Sequence, residues 1–204
     1  MPTIYELKPR FQMLLRPACR RLARAGVTAN RVTAFAAALS LAHGSWIALA
    51  PDQALPLLLL PVTLAARMAL NAMDGILARE FGQETRLGAI LNELGDAVSD
   101  AGLYLPFALV PGVSPTLVVL VVVLSLIAEV AGIAAIGAKG VRRYDGPFGK
   151  SDRAAAFGVL GVVLGLGLEP GLWTTIVLFV ALVLCALTVF NRVRRAVAAG
   201  SPRS

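Results

Sequence analysis

Residues 71–79 read NAMDGILAR and residues 88–96 read GAILNELGD, in a part of the chain that is otherwise strongly apolar. Helical spacing places the polar residues of each stretch on one face of its helix. Such residues are costly at membrane depth and indicate a functional site there, and the small residues between them let two helices approach closely. The two stretches predict a pair of helices that hold a hard cation and a phosphorylated compound. The oxygen-bearing face comprises Asn71, Asp74, Asn92, Asp96 and Asp100.

The composition is typical of a membrane protein. Of the 204 residues, 57% are hydrophobic and 15% are charged, and the mean hydropathy is +0.76, whereas soluble domains contain about 25% charged residues. The formal net charge is +7. Because the basic residues flank apolar spans and do not alternate with aromatic residues, they predict contact with anionic lipid and no nucleic-acid partner.

The hydropathy pattern predicts six membrane spans. They lie at residues 33–51, 55–79, 87–110, 115–138, 153–168 and 171–191, and the fifth is short for a bilayer. Before them, residues 1–32 mix basic and apolar residues as an amphipathic helix on the membrane surface does. The expected fold is therefore an all-α integral membrane protein with one domain, residues 1–204. It comprises an interfacial segment at 1–32, a six-helix bundle at 33–191 and a cytoplasmic tail at 192–204.

The basic residues also predict the orientation. Of the 19 Lys and Arg, all but Arg67 lie near the termini, at 79–86 or at 139–153. By the positive-inside rule these four regions face the cytoplasm. The polar ends of the second and third spans then open toward the cytoplasm and the inner headgroup region. We therefore expect a multi-pass protein of the inner, cytoplasmic membrane whose active site faces the cytoplasm.

The two polar stretches resemble the signature of the CDP-alcohol phosphatidyltransferase family, Asp-x2-Asp-Gly-x2-Ala-Arg-x8-Gly-x3-Asp-x3-Asp. In this chain the pattern runs from Asn71 to Asp96 with both spacers of the family's length, and Asn30-x2-Thr33 is similar to a further family element. The resemblance implies transfer of a phosphatidyl group from a CDP-linked donor, such as CDP-diacylglycerol, to an alcohol with release of CMP. It also implies Mg²⁺ or Mn²⁺ as cofactor and a homodimer in the membrane.

The resemblance further implies roles for individual residues. Asp74 and Asp96 are expected metal ligands, and Asp96 is also the expected base that takes the proton of the alcohol. Gly75 and Ala78 leave room for the nucleotide, Arg79 contacts it, and Thr85 occupies a position that can contact the donor. The predicted donor-binding residues are Asn30, Thr33, Gly75, Ala78, Arg79, Thr85, Gly88, Lys150 and Arg153.

Two departures from the signature leave alternatives open. Asn71 and Asn92 stand where the family has aspartates, and a neutral amide oxygen can ligate Mg²⁺ but cannot bridge two ions. Asp100, one turn beyond Asp96, is placed to join the predicted cluster. A catalytically inactive relative that binds nucleotide or lipid, and a small membrane transporter, are the alternatives to an enzyme. The alcohol is not identified, although the basic loop slightly favours a phosphorylated one.

Four charged residues outside the signature allow more than one interpretation. Arg67 either pairs with a carboxylate or extends toward the interface. Glu129, in the fourth span, either pairs with Arg67 or serves the acceptor. Lys150 and Arg153 lie in a basic cytoplasmic loop, where they either bind a phosphate of donor or acceptor or are explained by topology alone.

Overall fold

Helices make up the ordered secondary structure of this chain. The computed structural model describes residues 4–137 and 141–200, and within these ranges there is no strand. The helices are α1 (Ile4–Arg24), α2 (Ala29–Leu49), α3 (Ala54–Glu80), α4 (Arg86–Tyr104), a 3₁₀ helix at Leu105–Leu109, α5 (Pro115–Gly137), α6 (Lys150–Gly165) and α7 (Leu172–Gly200). The predicted all-helical fold is confirmed.

Four of these helices are long and apolar enough to cross a membrane. They are α2, α3, α5 and the Leu172–Ala198 part of α7. The chain is therefore a multi-pass membrane protein. The third and fifth predicted spans correspond to α4 and α6, which have 19 and 16 residues. A bilayer core needs about 20 apolar residues, so a count of six spans stays a prediction.

Some element ends differ from the expected spans. The third span was expected to continue to residue 110, but α4 ends at Tyr104 and Pro106 lies at the start of the 3₁₀ helix. Proline lacks the N–H that an α-helix uses, so the chain tightens there. Helix α7 continues to Gly200, and the first part of the expected tail is thus helical. Residues 1–3, 138 and 201–204 of the predicted segments lie outside the described residues.

The chain divides into two compact units, and the first comprises Met1–Ala42 and Val62–Ser99. Its buried apolar cluster joins α1 to the amino-terminal part of α2 and the carboxyl-terminal part of α3, through Cys19, Ala29, Val32, Ile76 and Leu77. On the surface, the Arg16 guanidinium donates to both carboxylate oxygens of Glu80 at 3.0–3.1 Å. These contacts fix α1 against α3, while its placement on a membrane surface stays a prediction.

Gly26 ends α1, as its position after the basic segment predicts. Its φ of +73° lies in the left-handed region that glycine adopts without strain. The Gly26 N–H donates to the Ala23 carbonyl, and the Val27 N–H donates to the Leu22 carbonyl at 2.9 Å. These two bonds satisfy carbonyls that the last helical turn leaves without partners. The chain then turns directly into α2.

The second unit comprises His43–Pro61 and Asp100–Ser204. Helix α5 packs along α7, and the Phe157 ring stacks on Tyr104 with ring centroids 4.3 Å apart. Gly44 lets α2 approach α4 closely, since a Cβ there would overlap the carbonyl oxygen of Gly102. Small residues permit such approach between membrane helices.

Candidate active site

Three helix ends meet in the first unit, and polar caps hold them together. The Thr28 hydroxyl accepts a hydrogen bond from the Arg31 N–H at 3.3 Å. The Gln83 side chain, in the turn after α3, accepts the Ala29 N–H at 2.7 Å. The Thr85 hydroxyl accepts the Gly88 N–H at 2.8 Å. Each of these bonds satisfies an N–H that a helix start leaves unpaired, and Gln83 does so for a neighbouring helix.

Asp74 is buried on α3 beside the start of α2. Only 5% of the residue is exposed. Its Oδ2 accepts the Thr33 hydroxyl at 2.8 Å, and the same hydroxyl lies 3.1 Å from the Ala29 carbonyl. A buried carboxylate is stable only with such partners, so Thr33 fixes the Asp74 side chain in one orientation. Sequence reasoning predicted both residues as site residues, and the structure brings them together.

Asp96 is held from α3 by two N–H donors. The Asn71 amide donates to Asp96 Oδ1 at 3.0 Å. The Arg67 guanidinium lies 3.6 Å from the same oxygen and donates to the Asp96 peptide carbonyl at 3.1 Å. Arg67 is 3% exposed. Of the alternatives for Arg67, the structure therefore favours pairing with a carboxylate, and that carboxylate belongs to the motif.

Two glycines of the motif make room for polar side chains. A Cβ at Gly75 would lie 2.7 Å from Arg79 Nη2, so the guanidinium of the following turn occupies this space. A Cβ at Gly88 would lie 2.6 Å from Asn30 Oδ1 and 2.9 Å from Thr85 Oγ1. Predicted donor-binding residues thus cluster in two groups, Gly75 with Arg79 and Gly88 with Asn30 and Thr85.

The other predicted residues of the first unit, Ala78 and Asn92, are partly buried. Ala78 is partly buried and packs against the apolar cluster of α1, α2 and α3. Asn92 is half-buried on α4, one turn before Asp96. Gly95 faces Thr33, and a Cβ there would make an ordinary contact with Thr33 Cγ2 at 3.5 Å. Thr33 therefore lies close to both motif helices.

The remaining predicted residues belong to the second unit and form a charge cluster of their own. Asp100 Oδ2 accepts Arg153 Nη2 at 2.8 Å, and both residues are buried. Arg153 also pairs with Glu129 at 3.0 Å. Lys150 is the first residue of α6. The metal role predicted for Asp100 and the phosphate roles predicted for Lys150 and Arg153 stay predictions.

Sequence reasoning did not anticipate the partners of Glu129. Besides Arg153, Arg142 and Arg192 approach its Oε2 at 3.4 and 3.3 Å. Arg192 also donates to the Ala128 carbonyl at 2.6 Å. These residues come from α5, α6, α7 and the loop before α6, so they are far apart in the chain. The only signal in the sequence was a carboxylate in an apolar helix, which must find a cation.

The oxygen donors of the first unit suit a hard divalent cation. Carboxylates of Asp74 and Asp96 and amide oxygens of Asn71 and Asn92 are the ligand types that Mg²⁺ and Mn²⁺ prefer. Among the described residues, no group of three or more His, Cys, Asp or Glu side chains could hold a metal. A cation bound to Asp74 and Asp96 would therefore need the amide oxygens of Asn71 and Asn92 to complete its ligand set.

Comparison with known proteins defines the class. The profile of the CDP-alcohol phosphatidyltransferase family matches residues 26–199, so the chain belongs to this family and its enzyme class is phosphotransferase. The inner membrane protein YnbA of Escherichia coli (strain K12) is 47% identical over 192 residues, covering 94% of this chain and 95% of YnbA. The family resemblance drawn from the motif is confirmed.

Two solved structures share the fold. Both are of the phosphatidylinositol phosphate synthase PgsA1 of Mycobacterium tuberculosis, one with CDP-DAG bound and one in complex with manganese and citrate. Each is 21% identical and covers 92% of this chain. The TM-scores are 0.70 and 0.69, and 96% and 92% of the respective PgsA1 chains are covered. At this identity the likeness concerns the fold.

Proposed function

We propose that this protein transfers a phosphatidyl group from CDP-diacylglycerol to an alcohol and releases CMP. What supports the proposal most is the pair of carboxylates in the first unit. Asp74 is fixed by Thr33, and Asp96 is fixed by Asn71 and Arg67. Carboxylates with fixed orientations can bind a cation and accept a proton in a defined direction. The family's chemistry and the donor bound in one PgsA1 structure agree with this donor.

In the proposed reaction, the alcohol oxygen attacks the phosphorus that carries the diacylglycerol. The bond from this phosphorus to the CMP oxygen breaks, and CMP leaves with the electron pair. Asp96 takes the proton of the alcohol, and Arg79 pairs with the donor phosphates. When bound, Mg²⁺ or Mn²⁺ supplies positive charge that neutralises the pyrophosphate. Asp74 and Asp96, with the amides of Asn71 and Asn92, would hold the cation.

The proposal includes the orientation and assembly predicted from the sequence. Six spans with both termini in the cytoplasm account for the positions of nearly all Lys and Arg residues. The motif then opens to the leaflet in which a lipid donor and a water-soluble alcohol both have access. Pairing of two copies rests on the family resemblance alone.

CMP release tests the function directly. The full chain, purified in detergent, is incubated with CDP-diacylglycerol, Mg²⁺ or Mn²⁺ and a panel of alcohols comprising glycerol 3-phosphate, inositol phosphate, serine and choline. We expect CMP and one new lipid, identified by mass spectrometry. Binding of CDP-diacylglycerol without CMP release from any alcohol would favour the catalytically inactive relative, which the amides at positions 71 and 92 make the specific competitor.

A further inference from the structure

Asp96 Oδ1 is already engaged by nitrogen donors from α3. Asn71 Nδ2 lies 3.0 Å from this oxygen and Arg67 Nη2 lies 3.6 Å from it. A carboxylate that bridges two metal ions gives one oxygen to each ion. The Asn71 N–H uses one lone pair of Oδ1, and the Arg67 guanidinium places positive charge beside it, so Oδ1 is a weaker ligand for a cation than a carboxylate oxygen without these neighbours. This arrangement therefore disfavours Asp96 as a bridge between two ions.

The charges of the site lead to the same conclusion. A site with four carboxylates balances two divalent cations, but here amides stand at positions 71 and 92. Asp74 and Asp96 remain, and Arg67 adds a fixed positive charge beside Asp96. Arginine stays protonated at any physiological pH. A second divalent cation next to a buried guanidinium would meet repulsion that water does not screen.

Burial and its contacts with Asp96 hold the Arg67 guanidinium in place. It is 3% exposed, and it contacts both the side chain and the peptide carbonyl of Asp96. A buried guanidinium is stable only with such partners. Its position four residues before Asn71 puts both side chains on the same face of α3.

We infer that Arg67 takes the place of a second metal ion, so that each chain binds a single divalent cation. Arg67 acts as a positioning residue, since it orients Asp96 and supplies permanent positive charge without touching the reacting atoms. This inference rests on the proposed function, because it concerns the cation that the proposed reaction uses.

Counting bound Mn²⁺ tests the inference without measuring activity. Free Mn²⁺ gives a six-line electron paramagnetic resonance spectrum that is lost on binding, so titration of the full chain in detergent yields the number of ions bound. We expect one Mn²⁺ per chain. Two Mn²⁺ per chain, or none, would overturn the inference. This count needs no variant and is independent of how any variant folds.

Variants show whether Arg67 is the reason for the count. The double variant Arg67→Gln, Asn71→Asp removes the fixed charge and adds a carboxylate, and we expect two Mn²⁺ per chain. Arg67→Lys keeps the charge and should bind one ion, as should Arg24→Gln, which removes an exposed arginine of α1. A folded double variant that still binds one Mn²⁺ would contradict the role of Arg67.

The outcome is separable from that of the proposed function. A chain that binds one Mn²⁺ but releases no CMP with any alcohol disproves the proposed function and leaves the single-cation site standing. A chain that releases CMP but binds two Mn²⁺ disproves the single-cation site alone. The Mn²⁺ count and the CMP assay can therefore contradict one proposal without contradicting the other.

Discussion

Asp96 carries the most demanding role assigned to one residue in this chain. Its Oδ1 is held by Asn71 and Arg67, and 23% of its side chain is exposed. The carboxylate is thus both oriented and reachable. Orientation matters for proton transfer because a base contributes only when its oxygen lies within hydrogen-bond distance of the proton.

Replacing Asp96 by Asn should remove turnover and leave the fold intact. The amide retains the size of the side chain but cannot accept the proton, and we expect kcat to fall by at least about 100-fold. Thermal unfolding in detergent checks the fold, and Asp52→Asn, at an exposed position, is the matched control. A rate in Asp96→Asn equal to that of the unmodified protein would mean that Asp100 or water is the base.

Thr33 allows a finer test of the Asp74 carboxylate. Thr33→Val keeps the shape of the side chain but removes the hydroxyl that donates to Asp74 at 2.8 Å. We expect a loss of about 1 kcal/mol in unfolding free energy and weaker Mn²⁺ binding, since Asp74 is no longer oriented. Thr33→Ser keeps the hydroxyl and should bind Mn²⁺ as the unmodified protein does. Equal affinities in both variants would show that this hydrogen bond does not serve the cation.

At the scale of elements, the start of α4 is packed more tightly against α2 than its middle is. Gly88 lies against Asn30 and Thr85, whereas Gly95 has room for a methyl group beside Thr33. A methyl group thus fits at Gly95 of α4, whereas at Gly88 of the same helix it would overlap neighbouring atoms. The difference can be tested with the same substitution at both positions.

Gly88→Ala should reduce activity, and Gly95→Ala should not. The new Cβ at position 88 displaces Asn30 and the Thr85 cap, and we expect kcat/KM to fall at least about tenfold, since small misplacements near a reacting group are costly. At position 95 alanine favours the helix by about 1 kcal/mol. Kinetics and thermal unfolding of both variants check this. Similar activities of the two would contradict the described packing.

The sequence predicted the helices and the motif residues far better than it predicted their partners. Local periodicity determines that Asn71, Asp74 and Asp96 lie on facing stripes, because helix geometry follows from neighbouring residues. Pairings across the chain do not follow from it. Asp100 falls on the motif stripe, yet its partner is Arg153, 53 residues later. Similarly, periodicity puts Arg67 on the motif face without showing which carboxylate it contacts.

Element ends were predictable only where a residue type dictates them. Gly26 ends α1 with a positive φ, as expected of glycine at this position. Helix α7 instead extends past residue 191, where the predicted span ends, because the more polar residues that follow still form a helix. Hydropathy predicts which residues lie in the bilayer, whereas the end of a helix depends on the backbone hydrogen bonds.

At the scale of the whole molecule, the orientation in the membrane is the main prediction. Cysteine labelling tests it, because the two native cysteines are buried and burial raises the pKa of the Cys19 thiol. A thiol with a raised pKa is mostly protonated at neutral pH and reacts slowly. With Cys19 and Cys185 replaced by serine, Asp52→Cys should react with an impermeant maleimide in intact cells, and Glu84→Cys only after permeabilisation. The reverse pattern would contradict the orientation.

The turn that follows α3 has a consequence for how the two halves of the signature are joined. Gly82, two residues after α3, has a φ of +66°, the Gln83 side chain accepts the Ala29 N–H at the start of α2, and the Thr85 hydroxyl caps the start of α4. With Glu80, which pairs with Arg16, half of the eight residues in the spacer thus make a contact or a turn that positions a helix. The invariable length in the signature then reflects mechanical coupling between three helices, and inserting a single alanine after Gln83 should uncouple them even though every motif residue is still present.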